Sequence, residues 1–481
     1  MMFRPIFLFV FWGIAATLQA DSLNVLFIAA DDLRCDLGCY GHPIVKTPHL
    51  DRLAARGTLF QRAYCAQAVC NPSRSSLLTG RRPNTLQQYN LAKHFREELP
   101  DVVTLPQHFM QHGYFTQNIG KIFHNWQTKV KGDPVSWSIP EVMHYARHGD
   151  DLAQVEGEVP PNQTAAIRCE CRDVADEAYF DGRIAKFAVE ALGQCATRSK
   201  PFFLAVGFWK PHLPFNAPKR YWDLYGSEEI PRPAFPDWPN GAPRIAWHDS
   251  RELLRASKGK VLEDAEAQEI RRGYLSAISY LDAQVGRVLA ELDRLKLTDS
   301  TVIVFWSDHG FHLGDHTLWA KTSNFELDAR VPLLIVPPKP LSDRSPAKTD
   351  AIVELLDLYP TLADLCGLPR PDGVEGVSLR PLLDGTVQQI KPAALTQHPR
   401  PAYFKEADPM RVMGHSIRTP KFRYTEWSQV TDGELVGAEL YDHSVDQAES
   451  VNQVDEPRYA AELPRLRRLL RDLVAEGVRK P

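Results

Sequence analysis

Beyond its first twenty residues, the 481-residue chain has no apolar run long enough to span a membrane, which leaves no later candidate for stable membrane insertion. Its charge is nearly balanced. Fifty-six Lys and Arg against 60 Asp and Glu leave −4 at neutral pH, so bulk electrostatics give no case for nucleic-acid binding. Any anion has to be bound at a local site. No two of the eight cysteines stand in Cys-x-x-Cys spacing, which removes zinc ribbons and thioredoxin-type redox sites. Internal repeats and low-complexity tracts are absent as well, so solenoids and long linkers are excluded.

What is present begins with "MMFRPIFLFVFWGIAATLQA", where Arg4 precedes about a dozen apolar residues that give way to small and polar ones. This is the layout of a signal peptide over residues 1–20. The mature chain is expected to start near Asp21 and to work outside the cytoplasm: periplasmic, secreted, or lysosomal in an animal source. Cysteines in an exported chain can form bridges. Cys169 and Cys171, in a loop-rich region, are the candidates, whereas Cys35, Cys39 and Cys366 sit among apolar neighbours and read as buried thiols.

Four apolar runs, "NVLFIAADD", "PFFLAVGFW", "STVIVFWSDHG" and "VPLLIVPP", read as strands buried on both faces. Helical patterns over 47–57, 104–113, 176–193, 264–296 and 357–371 alternate with them, which predicts an α/β sheet covered by helices. Thr47-Pro48 reads as a cap followed by proline in the first turn. Residues 127–175 and 223–262, rich in Pro, Gly and charge, read as surface excursions. After residue 385 the texture changes to short alternating strands and a charged helix over 457–477. The expected organisation is a catalytic domain over 21–385 and a C-terminal subdomain over 386–481.

In an open α/β sheet, ligands bind beyond the carboxyl ends of the strands. Two of the apolar strands end in Asp31-Asp32 and Asp308-His309. Adjacent carboxylates repel, and a divalent cation between them relieves the repulsion, with oxygen donors suiting a hard ion. Either pair alone reads better as a helix cap or a turn. Both at strand ends of one sheet favour a metal. The stretch "CNPSRSSLLTG" places Cys70 at a helix start, where backbone N–H groups attract an anion, with Arg74 one turn on. From the residues alone, Cys70 is a thiolate nucleophile or a buried thiol.

Cys-x-Pro-Ser-Arg-x-x-x-Leu-Thr-Gly is the pattern of the type I sulfatases, and Cys70 through Gly80 match every fixed position. "FIAADDLRCDLGCYG" resembles the first strand of that family, and "GKIFHN" its lysine-histidine segment. "FLAVGFWKPHLPF", "SDHGFHLGDHTLWAKTSNFELDARVPL", "SYLDAQVGRVL", "MGHSIRTPKFRYTEW" and "ELYDHSVDQAESVN" resemble the iduronate-2-sulfatase branch. The resemblance implies an alkaline-phosphatase-like core, with a large mixed, mostly parallel sheet flanked by helices and a smaller C-terminal α+β subdomain. It also implies that Cys70 is oxidised to Cα-formylglycine by a maturation enzyme. Asp31, Asp32, Asp308 and His309, with residue 70, would hold one Ca²⁺. Arg74, Lys121, His124, His212 and Lys321 would serve catalysis.

His312 and His316, near the metal segment, would shape substrate entry or face solvent as loop histidines. Lys405 and Arg411 are weaker candidates for a uronate carboxylate. The implied substrate is a sulfated oligosaccharide or polysaccharide, with exo-removal of a 2-O-sulfate from a uronic acid favoured. A phosphonate or phosphodiester hydrolase and a non-catalytic glycan-binding relative remain open at this point.

Overall fold

The computed structural model describes residues 23–124, 128–144, 169–226, 230–254 and 262–476. The expected signal peptide, residues 1–20, lies outside them, as does much of the 127–175 excursion.

The chain builds an eight-stranded mixed sheet around β1 (Asn24–Asp31). Let β2 be Thr58–Tyr64, β3 Phe115–Gly120, β4 Phe202–Pro211 and β5 Thr301–Ser307. Strand β1 lies between β4 and β5, parallel to both, and β3 extends the sheet parallel to β4. On the other side Leu333–Val336 runs antiparallel to β5 and β2, and Lys348–Glu354 adds parallel to β2.

Period-two alternation in β1 explains the two layers of helices. Leu26, Ile28 and Ala30 enter a core shared with Pro48–Ala54, Phe180–Ala196 and Asp264–Arg294. Val25, Phe27 and Ala29 enter a second core with Leu77, Leu78, Phe109, Leu358 and Leu362. Each fully buried Leu, Ile, Val or Phe contributes about 1.5–3 kcal/mol. The strand is therefore uniformly apolar because both of its faces are covered.

Register then determines where the chemistry lies. Ala30 pairs with Ser307, Asp31 with Pro211 after an irregularity, and Gly120 with Gly207. The residues that follow these strands (Asp32, Asp308, His212 and Lys121) emerge along one carboxyl edge.

The C-terminal unit is a four-stranded antiparallel meander, Ala394–Arg400, Val412–Arg418, Phe422–Gln429 and Leu435–Asp442. Ile417, Phe422, Tyr424 and Leu440 pack under the helix Leu463–Glu476. Its opposite face sets Val412, Trp427 and Tyr441 against Leu318 and Phe325 of the larger domain. Cys171, expected in a bridge, is an exposed thiol two residues along a strand from Cys169, a spacing that sets both side chains on the same face of the strand without joining them in a disulfide. Among the described residues no helix is long and apolar enough to cross a membrane.

Candidate active site

Helix Cys70–Thr79 is buried along its whole length, starts from extended Val69 and ends at left-handed Gly80, whose φ of 66° suits glycine at a helix stop. Its first turn therefore meets the carboxyl edge of the sheet. The Cys70 Sγ lies 3.5 Å from Asp31 Oδ1 and 3.3 Å from His309 Nε2. Asp32 adopts φ 64°, a left-handed conformation uncommon outside glycine, which turns the chain sharply after β1. Its backbone N–H donates to Asp308 Oδ1 at 3.2 Å.

Asp31, Asp32, Cys70 and His309, all buried, each offer one ligand atom, and these atoms lie within 4.8 Å of one another. Two carboxylates with one imidazole fit an oxygen-preferring divalent cation. Asp308 adjoins this group, with its Oδ2 3.6 Å from His309 Nε2.

Three cations surround the carboxylates. Arg74 is wholly buried; its Nε donates to Asp308 Oδ2 at 2.7 Å, and its other N–H groups go to the carbonyls of Lys121, Ile122 and Ala30. It thus ties β1, the Lys121 loop and Asp308 together. The Lys121 ammonium pairs with Asp31. Lys321 Nζ lies 2.7 Å from Asp32 Oδ1 and 2.8 Å from Glu252 Oε1. His212 turns its Nε2 toward Asp32 Oδ2 (3.7 Å) and Glu252 Oε1 (3.4 Å), while Nδ1 meets the Leu213 carbonyl at 2.7 Å.

Burial pulls these groups in different directions. It pushes the Asp32 carboxyl well above its ordinary range, Lys321 opposing and Asp31 reinforcing the shift. Asp31 would rise for the same reason, but the Lys121 charge, with His212 and Arg74, holds it well below. The Cys70 thiol is pushed well up by burial and by Asp31, with Lys121 and Lys321 opposing. His124 is held well below the usual imidazole range by burial and Lys121. Both its ring nitrogens are buried without a hydrogen-bond partner among the described residues.

The structure thus gathers Asp31, Asp32, Cys70, Arg74, Lys121, His212, Asp308, His309 and Lys321 into one connected cluster, with His124 coupled to its charges. His312 does not join it: fully buried, it bonds Asp328 Oδ1 at 2.7 Å. Nor does His316 face solvent as a loop histidine; it is buried against the Ala448 carbonyl. Arg411 is exposed and paired with Asp408, and Lys405 is exposed at a backbone bridge to Asp408. Sequence reasoning missed Glu252 and Tyr403, whose hydroxyl donates to Glu252 Oε2 at 2.7 Å. Glu252 lies in a charged, Pro-rich excursion where nothing in the pattern distinguishes it.

A carboxylate cluster ringed by lysine, arginine and histidine at the carboxyl edge of an α/β sheet defines a hydrolase of anionic esters. The chain belongs to the sulfatase family, which it matches over residues 23–368, and residues 314–476 match the family described as N-sulphoglucosamine sulphohydrolase, C-terminal. It is a sulfuric ester hydrolase. It is 37% identical over 472 residues to iduronate 2-sulfatase of Mus musculus, covering 85% of each chain. To iduronate 2-sulfatase of Homo sapiens it is 35% identical, covering 86% of each. Among solved structures, a protein in complex with its substrate D-glucosamine-2-N,6-O-disulfate superposes with a TM-score of 0.75 at 23% identity, over 95% of this chain and 98% of that one. The phosphonate monoester hydrolase of Agrobacterium radiobacter superposes at 0.73 and 22%, over 95% and 96%, a likeness of fold.

Proposed function

We propose that this sulfatase removes a sulfate ester from a sulfated glycan, acting from the chain end on a 2-O-sulfated uronic acid, with Cys70 oxidised to formylglycine and one Ca²⁺ bound. The observation that carries the reading is the position of Cys70. It stands at the start of a buried helix, within 3.5 Å of Asp31 and His309, and next to the cations that a sulfate needs. The similarity to iduronate 2-sulfatases supports the uronate substrate.

Asp31, Asp32, Asp308 and His309, with residue 70, would hold the ion, whose positive charge would draw on the sulfate oxygens. A formylglycine hydrate would supply two geminal hydroxyls, one to attack sulfur and one whose deprotonation releases sulfate. Lys121 and Lys321 offset charge on the sulfate oxygens as it redistributes in the transition state. Arg74 fixes Asp308 and the loop that carries Lys121. His212 Nε2 gives a proton to the sugar oxygen as the S–O bond breaks and that oxygen takes the electron pair. His124, kept neutral by burial and Lys121, takes the proton of the second hydroxyl. The leader over residues 1–20 would carry the enzyme out of the cytoplasm.

The test is twofold. Cys70→Ala should abolish turnover while the melting temperature stays within a few degrees of the parent; retained activity would overturn the nucleophile assignment. Sulfate release from oligosaccharides of defined linkage should favour a terminal 2-O-sulfated uronate. A stronger preference for a phosphate diester would move the chain to the phosphonate hydrolase reading.

A further inference from the structure

We propose that Glu252 is a positioning residue that holds His212 and Lys321 together as the leaving-group pair, with Tyr403 as its clamp. The inference rests on the reading of His212 as proton donor.

Glu252 stands on the short helix Arg251–Leu254, outside the main sheet. One carboxylate oxygen serves both partners: Oε1 lies 2.8 Å from Lys321 Nζ and 3.4 Å from His212 Nε2. The other accepts from Tyr403 at 2.7 Å, so the carboxylate cannot rotate without losing a bond. Asp32 is the other carboxylate on both groups, at 2.7 Å from Lys321 and 3.7 Å from His212. Its oxygens also belong to the four-residue cluster with Asp31, Cys70 and His309. Glu252 is therefore the carboxylate left to hold the pair when Asp32 serves the metal site.

The backbone points the same way. His212 is fixed at Nδ1 by the carbonyl of Leu213, which can only accept, so Nδ1 carries one hydrogen and the proton given to the leaving oxygen is the second one, on Nε2 of the imidazolium. Glu252 supplies a further point that aims Nε2, and Tyr403 couples that aim to the loop joining the first two strands of the C-terminal sheet.

A residue that aims the proton donor matters most when the leaving oxygen is basic. The experiment compares the mature full-length enzyme with E252Q, E252D and Y403F on 4-nitrophenyl sulfate, whose leaving group departs readily, and on 4-methoxyphenyl sulfate, whose leaving group needs the proton more. Positioned general acids contribute roughly 100- to 10,000-fold. Misaiming one should lower kcat of E252Q on the methoxy ester by about 10- to 100-fold, and at least several-fold less on the nitro ester, with KM little changed. E252D, which keeps the carboxylate, should recover part of the loss, and Y403F should fall between parent and E252Q.

Equal losses on both esters, or a loss confined to KM, would reduce Glu252 to a structural residue and overturn the proposal. H212A separates the two layers of argument. If it shows the leaving-group-dependent loss and E252Q does not, only the role of Glu252 falls. If H212A itself shows no such dependence, the assignment of His212 as proton donor fails and this proposal fails with it.

Discussion

Asp282 shows how a single residue can do work that the local sequence assigns elsewhere. Thr47 before Pro48 reads as the cap of helix Pro48–Ala54, yet its hydroxyl bonds Asp51 instead. The orphan N–H groups of His49 and Leu50 donate to Asp282, 233 and 232 residues away on the long helix Asp264–Arg294. A cap supplied across the fold leaves no local signal. The same holds for Glu252, and for His312, whose partner Asp328 was not visible as one. Cys70, Arg74 and the strand-end aspartates were legible because their order follows a fixed motif and an apolar run.

Asp282 also carries a pH dependence. Burial pushes its carboxyl up to about 7, the donors from Leu50 and His49 opposing. The folded state thus holds a proton that the unfolded chain releases near pH 4, so this residue's contribution to stability falls as pH rises from about 4 to about 7 and is level above that. Asp282→Asn keeps an acceptor and removes the ionisation. Its melting temperature should gain on the parent progressively across that window and hold the gain above pH 7. A constant difference between the two proteins from pH 4 to 8 would contradict the assignment.

At the scale of elements, the strands that end in site residues were legible only where both faces are apolar. Strand β3, Phe115–Gly120, is fully buried yet contains Thr116, Gln117 and Asn118. Two of those side chains are accommodated by long-range bonds: Thr116 Oγ1 to the Ser136 carbonyl and Asn118 Nδ2 to Glu141. No periodicity rule anticipates that. This strand delivers Lys121, and the pairing that delivers it depends on two glycines. Gly120 turns at φ 82°, and Gly207 lies beneath the Lys121 backbone, whose N–H donates to the Gly207 carbonyl at 2.7 Å.

A Cβ on Gly207 would stand 1.9 Å from the Lys121 carbonyl oxygen and 2.2 Å from its carbon, both backbone atoms that cannot swing aside. Gly207→Ala should therefore lift the Lys121 loop, costing about 1–3 kcal/mol of stability. Catalysis should suffer more, since a displacement of about 1 Å costs on the order of 100-fold. Gly193→Ala provides the contrast: it lies in helix Phe180–Ala196 with open space around it and should stabilise by about 0.5–1 kcal/mol with kcat unchanged. Equal behaviour of the two variants in denaturation and turnover would remove the role given to Gly207.

Over the whole molecule, the texture change after residue 385 made a C-terminal unit legible, but not how it is attached. Attachment runs through buried charge. Arg423 of the meander bonds Glu449 Oε1 at 2.6 Å and Glu326 Oε2 of the larger domain at 2.5 Å. His443 Nε2 meets Glu449 at 2.9 Å, and Tyr64 of β2 donates to Glu326 at 3.0 Å. Tyr64, Glu326 and Arg423 lie about a hundred residues or more apart in sequence, so charge patterning along the chain could not reveal the cluster.

Burial would raise Glu449, but Arg423 and His443 bring it down to about 2. That stabilisation is present above the ordinary glutamate range near 4.5 and is lost as pH falls toward about 2. Removing one member of a buried network strands the remaining charges and costs roughly 3–5 kcal/mol. Arg423→Ala should lower the unfolding free energy from urea titration at neutral pH by an amount of that order. Because Glu449 then lacks its main partner, the gap between variant and parent should narrow as the pH drops from about 5 to about 2. A gap of constant size across that range would mean that packing, rather than the charge network, joins the subdomain that carries Tyr403 to the domain that carries Cys70.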